Sequence, residues 1–144
     1  MITPDNDNER MVMRFFEVLS AGDLEGVRNL LHEDAVWIPQ IRDVPGAGAH
    51  RGRKGIVDDF LRPIRGLFKP GDPKVIVDTL VSKGNLVIAE ARGRGTIADG
   101  RHYDNLYAWA FELKDGKVHV IREYMDSHYV INLLGGQSSQ PDAQ

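Results

Sequence analysis

A chain of 144 residues has the length of one domain, and a domain of this size buries enough apolar surface to fold without a metal ion or a disulfide. Its 18 Lys and Arg residues against 21 Asp and Glu residues give a formal charge of -3. The basic residues are scattered along the chain, so we expect no nucleic acid partner. Cysteine is absent, which excludes disulfide scaffolds and thiolate nucleophiles and favours the cytoplasm as the compartment.

The chain carries no sign of a second domain or of a membrane anchor. The start "MITPDNDNER" is polar, and no apolar run approaches the roughly 20 residues that a membrane-spanning helix needs. We therefore expect a soluble protein with no membrane partner. Residues 1–8 are expected to be flexible, residues 9–134 to form one domain, and residues 135–144 to be a disordered tail by composition.

The first half of the chain predicts three helices. Apolar residues recur at helical spacing over residues 8–20 and again over residues 24–31. The run "DAVWIP" predicts a short strand that ends at Pro39, and residues 40–49, rich in Pro and Gly, predict an ordered loop or a lid. Helical spacing resumes through Ile56, Phe60, Ile64 and Leu67, and Pro63 should kink or end that third helix.

The second half predicts four antiparallel strands joined by short turns. "SKGN" and "KDG" are hairpin turns, each between two runs of strand-forming residues, and "ADGR" is the turn between the two hairpins. The last strand is expected to run from Lys117 through "EYMDSHYVI". Helices ahead of an antiparallel sheet indicate an α+β domain in which the helices cover one face of the sheet.

The segment "GRHYDNLYAWAFELKDGKVHVIREYMDS" resembles the SnoaL-like, ketosteroid isomerase-related proteins of the nuclear transport factor 2-like superfamily. The likeness lies in a Gly turn, Tyr and Asn on the next strand, an aromatic stretch, a "DGKV" turn and a closing strand with "EYMD". "DAVWIP" followed by "RGRKGI" resembles the group's second strand and third helix. The superfamily includes isomerases, dehydratases, cyclases, epoxide hydrolases and non-catalytic binding modules, so the fold alone does not decide the function.

The resemblance implies a cone-shaped cystatin-like fold, in which three N-terminal helices pack on a strongly curved antiparallel sheet around an apolar pocket. It also implies a homodimer that pairs the outer faces of the sheets. Side chains alternate along a strand, so three sets of residues each share one face. We expect these sets to point into the pocket: Asn105, Tyr107 and Trp109; Ile121, Glu123 and Met125; Arg92 and Arg94.

Glu123 is the leading candidate for catalysis. The resemblance places it where limonene epoxide hydrolase-like members carry an Asp that activates water. A carboxylate in an apolar pocket has its pKa raised by desolvation and exchanges protons near neutral pH. The alternative is a salt bridge from Glu123 to Arg92 or Arg94, which would hold the carboxylate ionised and inert.

Arg92 and Arg94 separate this chain from the epoxide hydrolase pattern. Those enzymes carry an acid two residues after an Arg, whereas this chain reads Arg92, Gly93, Arg94. Two cations near a pocket would instead suit a ligand with a carboxylate, enolate or phenolate. The alternative is that one or both neutralise Glu90, Glu123 or Asp126.

Tyr107 and Asn105 lie where SnoaL-like cyclases place polar residues that touch substrate oxygen. A Tyr hydroxyl can donate to a developing enolate, although Tyr107 could equally pack and hydrogen-bond a helix. Tyr103 and Asp126 are interpreted as structural or interfacial residues. Ketosteroid isomerases use a tyrosine dyad, for which the sequence shows no clear equivalent, so steroid isomerisation is not predicted.

The remaining candidates concern the pocket wall and metals. Trp37, Trp109, Ile121 and Met125 are expected to form the apolar wall, and His50, after the Gly-rich loop, is a candidate for contact with ligand at the pocket mouth. The histidines show no spacing that would assemble a metal site, so we expect no metal and no cofactor.

The sequence therefore predicts an enzyme that performs acid/base chemistry without a cofactor on a small, mainly apolar oxygenated molecule. Glu123 would be the base or acid, and Tyr107, Asn105, Arg92 and Arg94 would orient the substrate. Isomerisation, dehydration and cyclisation share one step, removal of a proton next to a carbonyl. The alternatives are a ligand-binding module of the same fold and, less favoured, an epoxide hydrolase.

Overall fold

The computed structural model describes residues 2–135, and twelve elements follow one another along this part of the chain. They are α1 Asp7–Ser20, α2 Leu24–Leu30, β1 Leu31–Pro39, β2 His50–Arg51, π1 Lys54–Leu61, α3 Arg62–Arg65, β3 Lys74–Lys83, β4 Leu86–Thr96, β5 His102–Lys114, β6 Lys117–Met125, α4 Ser127–Val130 and π2 Ile131–Gly135. The predicted disordered tail lies outside the described residues except for Gly135.

Helix α1 begins at a polar cap and buries one apolar face. The side chain of Asn6 accepts a hydrogen bond from the Glu9 amide at 2.9 Å, which satisfies one of the free donors at the helix start. Phe15 and Phe16, on the buried face, contact Phe111 of β5 with ring centroids 5.6 and 5.3 Å apart. Because Asp7 and Asn8 belong to the helix, any flexible N-terminus is shorter than the predicted residues 1–8.

The sheet has six strands in the order β2-β1-β6-β5-β4-β3. Strands β3 to β6 form the predicted antiparallel meander. Strand β1 pairs with β6 in parallel, so the sheet is mixed rather than wholly antiparallel, and Trp37 lies beside Ile121 and Pro39 beside Glu123. This pairing joins two segments far apart in sequence and brings the aromatic residue of β1 next to the acid of β6.

The third predicted helix is a π-helix, π1, that continues into one α-helical turn, α3. Pro63 lies where π1 passes into α3 and cannot donate a backbone hydrogen bond, and the α-helical turn ends two residues later at Arg65. Ile56, Val57, Phe60 and Leu61 are buried on one face of π1. The third helix thus supplies part of the apolar lid over the sheet.

The closing strand is shorter than the sequence suggested. Strand β6 ends at Met125, and the side chain of Asp126 caps α4 by accepting a hydrogen bond from the Tyr129 amide at 3.2 Å. The expected continuation through "SHYVI" is therefore wrong, because the cap starts a helix that turns the chain back over the sheet. Asp126 has the structural function that the sequence predicted for it.

The helices cover the inner face of the sheet and leave the outer face open. Trp109 and Phe111 of β5 are buried on the inner face, whereas Leu106 of the same strand and Tyr124 of β6 are 63% and 45% exposed. The α+β fold class is confirmed in this arrangement. No helix among residues 2–135 is long and apolar enough to cross a membrane.

Candidate functional site

A cavity of about 120 Å³ lies between the inner face of the sheet, the third helix and the loop of residues 40–49. This volume suits a ligand with about one aromatic ring. The wall is mostly apolar, as Leu19, Ile41, Phe60, Phe68, Val75 and Met125 illustrate. Six described lining residues carry an ionisable group or an indole N–H: Trp37, Arg65, Tyr103, Tyr107, Trp109 and Glu123.

Glu123 presents its carboxyl group to this cavity. Its strand position lies between Pro39 of β1 and Trp109 of β5, and its side chain is almost wholly buried. Trp37 Nε1 donates a hydrogen bond to Glu123 Oε1 at 2.8 Å. Within residues 2–135 the carboxylate forms no ion pair, so the alternative of a salt bridge to Arg92 or Arg94 is excluded.

The apolar surroundings of Glu123 disfavour the charged form of its carboxyl group. Burial raises the pKa of this carboxyl to about 7. The hydrogen bond from Trp37 favours the charged form and offsets only part of the rise that burial causes. A carboxyl with such a pKa is present in both protonation states at neutral pH. It can therefore take up and return a proton within one reaction cycle.

Two tyrosine hydroxyls meet on the cavity wall. Tyr103 and Tyr107 share one face of β5, and their hydroxyl groups are hydrogen-bonded to each other. Burial raises the pKa of Tyr103 to about 12 and raises that of Tyr107 well above its ordinary value. Both phenols therefore stay protonated at neutral pH and can donate hydrogen bonds. The sequence interpretation missed this pair, although positions i and i+4 on one strand face were a signal for it.

Asn105 lies behind the tyrosine pair rather than on the cavity wall. Its Nδ2 donates to the Tyr103 hydroxyl at 3.2 Å and to the Asp126 carbonyl oxygen at 3.4 Å, and its Oδ1 accepts from the Leu106 amide. The side chain is 1% exposed and absent from the lining of the cavity. The expected contact of Asn105 with substrate is thus replaced by a contact with Tyr103, whose hydroxyl it orients.

Arg92 and Arg94 do not face the cavity, and this expectation is wrong. Arg92 pairs with Asp78, with Nη2 and Oδ1 2.7 Å apart, and Arg94 pairs with Asp104 at 3.2 Å. Both ion pairs lie on the outer face of the sheet, where Arg92 is the strand partner of the exposed Leu106.

The reason lies in the small residues that alternate with these charges. Ala91 and Gly93 occupy the inner face of β4, as strand partners of Tyr107 and Asn105. A Cβ atom built on Gly93 would lie 2.8 Å from Tyr107 Cε1, so only glycine leaves room for the tyrosine ring there. The inner face of β4 carries only small side chains at these positions because the aromatic rings of β5 occupy the space above them.

The other predicted wall residues divide into two groups. Trp109 and Met125 line the cavity, as does Trp37. Ile121 is fully buried in the hydrophobic core beneath α1 and lies outside the lining, so its expected wall position is wrong. His50 also lies outside the lining, because its ring stacks on Phe60 at 4.1 Å and its Nε2 bonds the Gly46 carbonyl oxygen at 2.7 Å.

The loop of residues 40–49 and Arg65 also contribute to the wall, and the sequence interpretation identified only the loop. The loop predicted as a lid does line the cavity, through Ile41, Val44, Pro45 and Gly46. Arg65 lies on the wall at the end of the third helix, and the signal for it was the helical spacing of Leu61, Ile64, Arg65 and Phe68, which all line the cavity. Within residues 2–135 no group of three or more His, Asp or Glu side chains is arranged to hold a metal ion.

The chain is similar to solved structures of one fold. A nuclear transport factor 2-like protein of Burkholderia pseudomallei is 19% identical, with a TM-score of 0.79 over 90% of this chain and 98% of that chain. A putative SnoaL-like polyketide cyclase from Jannaschia sp. CCS1 is 20% identical, with a TM-score of 0.75 over 94% and 96%. An LEH-like epoxide hydrolase of M. tuberculosis is 22% identical, with a TM-score of 0.69 over 92% and 93%.

These likenesses confirm the nuclear transport factor 2-like fold that the sequence predicted, and no curated protein matches the chain. The family comparison is more specific. The SnoaL-like domain family matches residues 12–121, which span α1 to the middle of β6 and include Trp37, Tyr103, Tyr107 and Trp109. The chain belongs to the SnoaL-like domain family.

Proposed function

We propose that this protein is an enzyme that catalyses proton transfer on a mainly apolar molecule with a carbonyl group, without a cofactor. The observation that carries the proposal is the carboxyl group of Glu123. It is buried on the wall of an apolar cavity, forms no ion pair within residues 2–135 and has its pKa raised to about 7. A structural carboxylate would be expected to have a cationic partner that offsets the cost of burying its charge.

The mechanism begins with Glu123 as a general base. Its carboxylate removes a proton from the carbon next to the substrate carbonyl, and the electron pair of the broken C–H bond moves into an enolate. The Tyr107 hydroxyl, supported by Tyr103, donates a hydrogen bond to the oxygen on which negative charge develops. Met125, the strand partner of Tyr107, lies two residues after Glu123, so acid and tyrosine face the same cavity from adjacent strands.

The fate of the enolate decides the reaction type. Return of the proton from neutral Glu123 to another carbon isomerises the substrate. If neutral Glu123 instead gives the proton to a β-hydroxyl group, the C–O bond breaks, water leaves and the substrate is dehydrated. Attack of the enolate carbon on a second carbonyl closes a ring, and the new alkoxide takes the proton that Glu123 holds. All three reactions use the same first step, and isomerase, dehydratase or cyclase activity is the range that we propose.

Solvent exchange tests this first step without knowledge of the natural substrate. A panel of cyclic ketones and enones is incubated in D₂O with the protein, and NMR measures deuterium uptake next to the carbonyl. We expect uptake with the native protein and a loss of about a hundredfold or more with Glu123→Gln, because general base catalysis is worth that much. Glu112→Gln, on the outer face beside Arg122, is the matched control and should leave the rate unchanged.

Two outcomes would overturn the proposal. Equal exchange rates in the native protein and Glu123→Gln would show that this carboxyl is not the base. Ligands that bind in the cavity with no exchange from any member of the panel would favour the ligand-binding module. That alternative shares the cavity, and its supporting observation is that Trp37 already occupies one carboxylate oxygen of Glu123.

Epoxide hydrolysis fits the cavity less well. One structural neighbour is named an LEH-like epoxide hydrolase, and at 22% identity the likeness concerns the fold. Glu123 is the single carboxylate among the described residues that line the cavity. A hydrolase would need a second acid to protonate the epoxide oxygen while Glu123 activates water. In this cavity a tyrosine hydroxyl would have to act in place of that second acid.

We also propose a homodimer formed through the outer face of the sheet, in the cytoplasm. Leu106, Tyr124 and Ile76 are large apolar side chains that remain 63%, 45% and 37% exposed on that face. Burying them against a second copy would remove apolar surface from water. The cytoplasm rests on the absence of cysteine from the chain.

A further inference from the structure

Arg65 brings a positive charge to the cavity at some distance from Glu123. Its guanidinium is partly buried beneath the turn that joins α1 and α2, where a Cβ atom built on Gly22 would lie 3.7 Å from Nη2. Among the described residues that line the cavity, Arg65 is the one cationic side chain. Arg92 and Arg94, which the sequence suggested for this purpose, are occupied on the other side of the sheet.

The hydrogen-bonding capacity of this guanidinium is largely unused. Nη1 donates to the Pro73 carbonyl oxygen over a long 3.4 Å, and Nη2 is buried without a hydrogen-bond partner in residues 2–135. No described carboxylate lies within 4.0 Å of Arg65, whereas Arg62, three residues earlier, pairs with Asp58. Burial lowers the pKa of Arg65, and the more distant charge of Asp72 raises it.

The second buried side-chain nitrogen without a partner lies on the same wall. Trp109 Nε1 has no acceptor among residues 2–135, and with Arg65 Nη2 it completes the set of such atoms there. A buried donor without an acceptor costs free energy that a bound acceptor would restore. Two residues of the cavity wall thus carry buried donors without acceptors, and a ligand rich in acceptor oxygens would supply the partners that these donors lack once the side chains turn toward it.

We propose that the ligand of this cavity carries a carboxylate, which Arg65 binds, and that its apolar body extends from there toward Glu123. The inference deepens the proposed function and rests on the same cavity. Rotation about the last bonds of the Arg65 side chain turns the planar fork toward the cavity, where it can bind both oxygens of a carboxylate. Arg65 is then a specificity-determining residue rather than a catalytic one.

The positions of Arg65 and Glu123 relative to the strands of the sheet indicate how long a ligand must be to contact both. Arg65 bonds to Pro73, just before β3, and Glu123 lies on β6, with β4 and β5 between these strands. Adjacent strands are about 4.8 Å apart, so the two strands are separated by about 14 Å along the sheet. Both side chains extend into the space between, and a ligand with one ring and a short acidic chain could contact both.

Matched acid and amide ligands test the inference directly. Calorimetry measures the binding of a series of ω-phenylalkanoates of increasing chain length and of their primary amides to the native protein. We expect the acid of the best-fitting length to bind about tenfold or more tightly than its amide, because a hydrogen bond to a charged partner is worth at least that factor. In Arg65→Gln this preference should disappear while the amide still binds, which also shows that the variant is folded.

Arg62→Gln is the matched control, since it removes a cation from the same short helix at a residue that does not line the cavity. It should keep the preference for the acid. Three results would overturn the inference: no acid of the series binds, acid and amide bind equally to the native protein, or the preference survives in Arg65→Gln. Loss of the preference in Glu123→Gln but not in Arg65→Gln would also overturn the inference, because protonated Glu123 would then be the group that binds the ligand carboxylate.

The binding result and the exchange result separate the two proposals. A preference for acids that depends on Arg65, found without proton exchange, upholds the ligand class and overturns the enzyme. Proton exchange that depends on Glu123, found without a preference for acids, upholds the enzyme and overturns the ligand class.

Discussion

Trp37 Nε1 donates a hydrogen bond to Glu123 Oε1 at 2.8 Å across the parallel pair of β1 and β6. The bond fixes one oxygen of the carboxyl and leaves the other toward the cavity. Trp37 itself is held by rings on three sides, with centroids 5.8, 5.3 and 5.4 Å from those of Phe15, Phe60 and Trp109. The candidate base is therefore oriented by a residue that the core holds in place.

The first prediction concerns stability as a function of pH. The pKa of Glu123 is raised from 4.5 in the unfolded chain to about 7 in the folded protein, so the folded state binds the proton more tightly. Its contribution to stability is fully present below about pH 4.5 and is lost as pH rises through 7. The loss amounts to about 3 kcal/mol at most. Urea unfolding of the native protein and Glu123→Gln at pH 5 and pH 8 should show a smaller pH-dependent loss in the variant.

Glu112→Gln is the control for this comparison, since it removes a carboxyl from the exposed outer face. Its stability should follow the pH dependence of the native protein. An unchanged pH dependence in Glu123→Gln would mean that this carboxyl has an ordinary pKa in the folded protein.

The second prediction isolates the hydrogen bond from Trp37. Trp37→Phe removes the donor that favours the charged form, so the pKa of Glu123 should rise further. A hydrogen bond to a charged group corresponds to about one to two pH units. NMR titration of the labelled Glu123 carboxyl carbon measures the shift. Trp109→Phe, which removes an indole N–H with no described partner, is the control and should leave the pKa nearly unchanged.

A lower pKa of Glu123 in Trp37→Phe would contradict this account. It would show that water entering in place of the indole solvates the carboxylate better than the lost hydrogen bond did. The deuterium exchange rate should then have its pH dependence displaced toward acid as well.

The third prediction concerns the space beside Tyr107. In Gly93→Ala the new methyl group would lie 2.8 Å from Tyr107 Cε1, so the ring must move into the cavity. Overpacking of this kind costs about 1–3 kcal/mol. We expect a lower midpoint of thermal unfolding and weaker binding of cavity ligands. Gly55→Ala, whose added methyl group meets its nearest atom at 4.0 Å, is the control and should not lower the midpoint.

Binding and stability that both equal those of the native protein in Gly93→Ala would contradict the arrangement. The Tyr103 and Tyr107 hydroxyls would then have a position that does not depend on the small inner face of β4.

The fourth prediction concerns assembly. Leu106→Glu places a charge in the middle of the apolar outer face, where a dimer would have to bury it. Light scattering after size exclusion should give the mass of a dimer for the native protein and of a monomer for the variant. Arg14→Gln, on exposed α1, changes the net charge by the same amount and should stay dimeric. A native protein that is monomeric at all concentrations tested would overturn the dimer.

The sequence predicted those parts of the molecule that are determined by the local spacing of apolar residues and by short turn motifs. The spacing of Val12, Phe15, Phe16 and Leu19 gives the buried face of α1, and hairpin turns delimit β3 to β6. Period two in β6 also places Glu123 on the face that carries Ile121. Each of these features depends on residues within a few positions of one another.

The features that the sequence interpretation missed depend on contacts between distant segments. In "AEARGRG" both faces of β4 lack a large apolar residue, so only the rings of β5 decide that Ala91 and Gly93 point inward and Arg92 outward. The parallel pairing of β1 with β6 has no local signal either. Arg65 reaches the cavity because the third helix is packed over the sheet. A search for apolar residues at helical spacing does not identify this position, because arginine is charged.

The alternation of small and charged residues along β4 gives the two faces of this strand separate functions: one face forms ion pairs, and the other leaves space for aromatic rings. The charged side chains of Arg92 and Arg94 are paired on the outer face, and Gly93 on the inner face lines the cavity, so a substitution of either arginine could change the surface of the sheet without changing the space available to a ligand. The outer face of this strand could thereby change its charge, and with it the contacts of the sheet, while the reacting groups stay fixed. Such a layout gives a scaffold room to diversify in small steps.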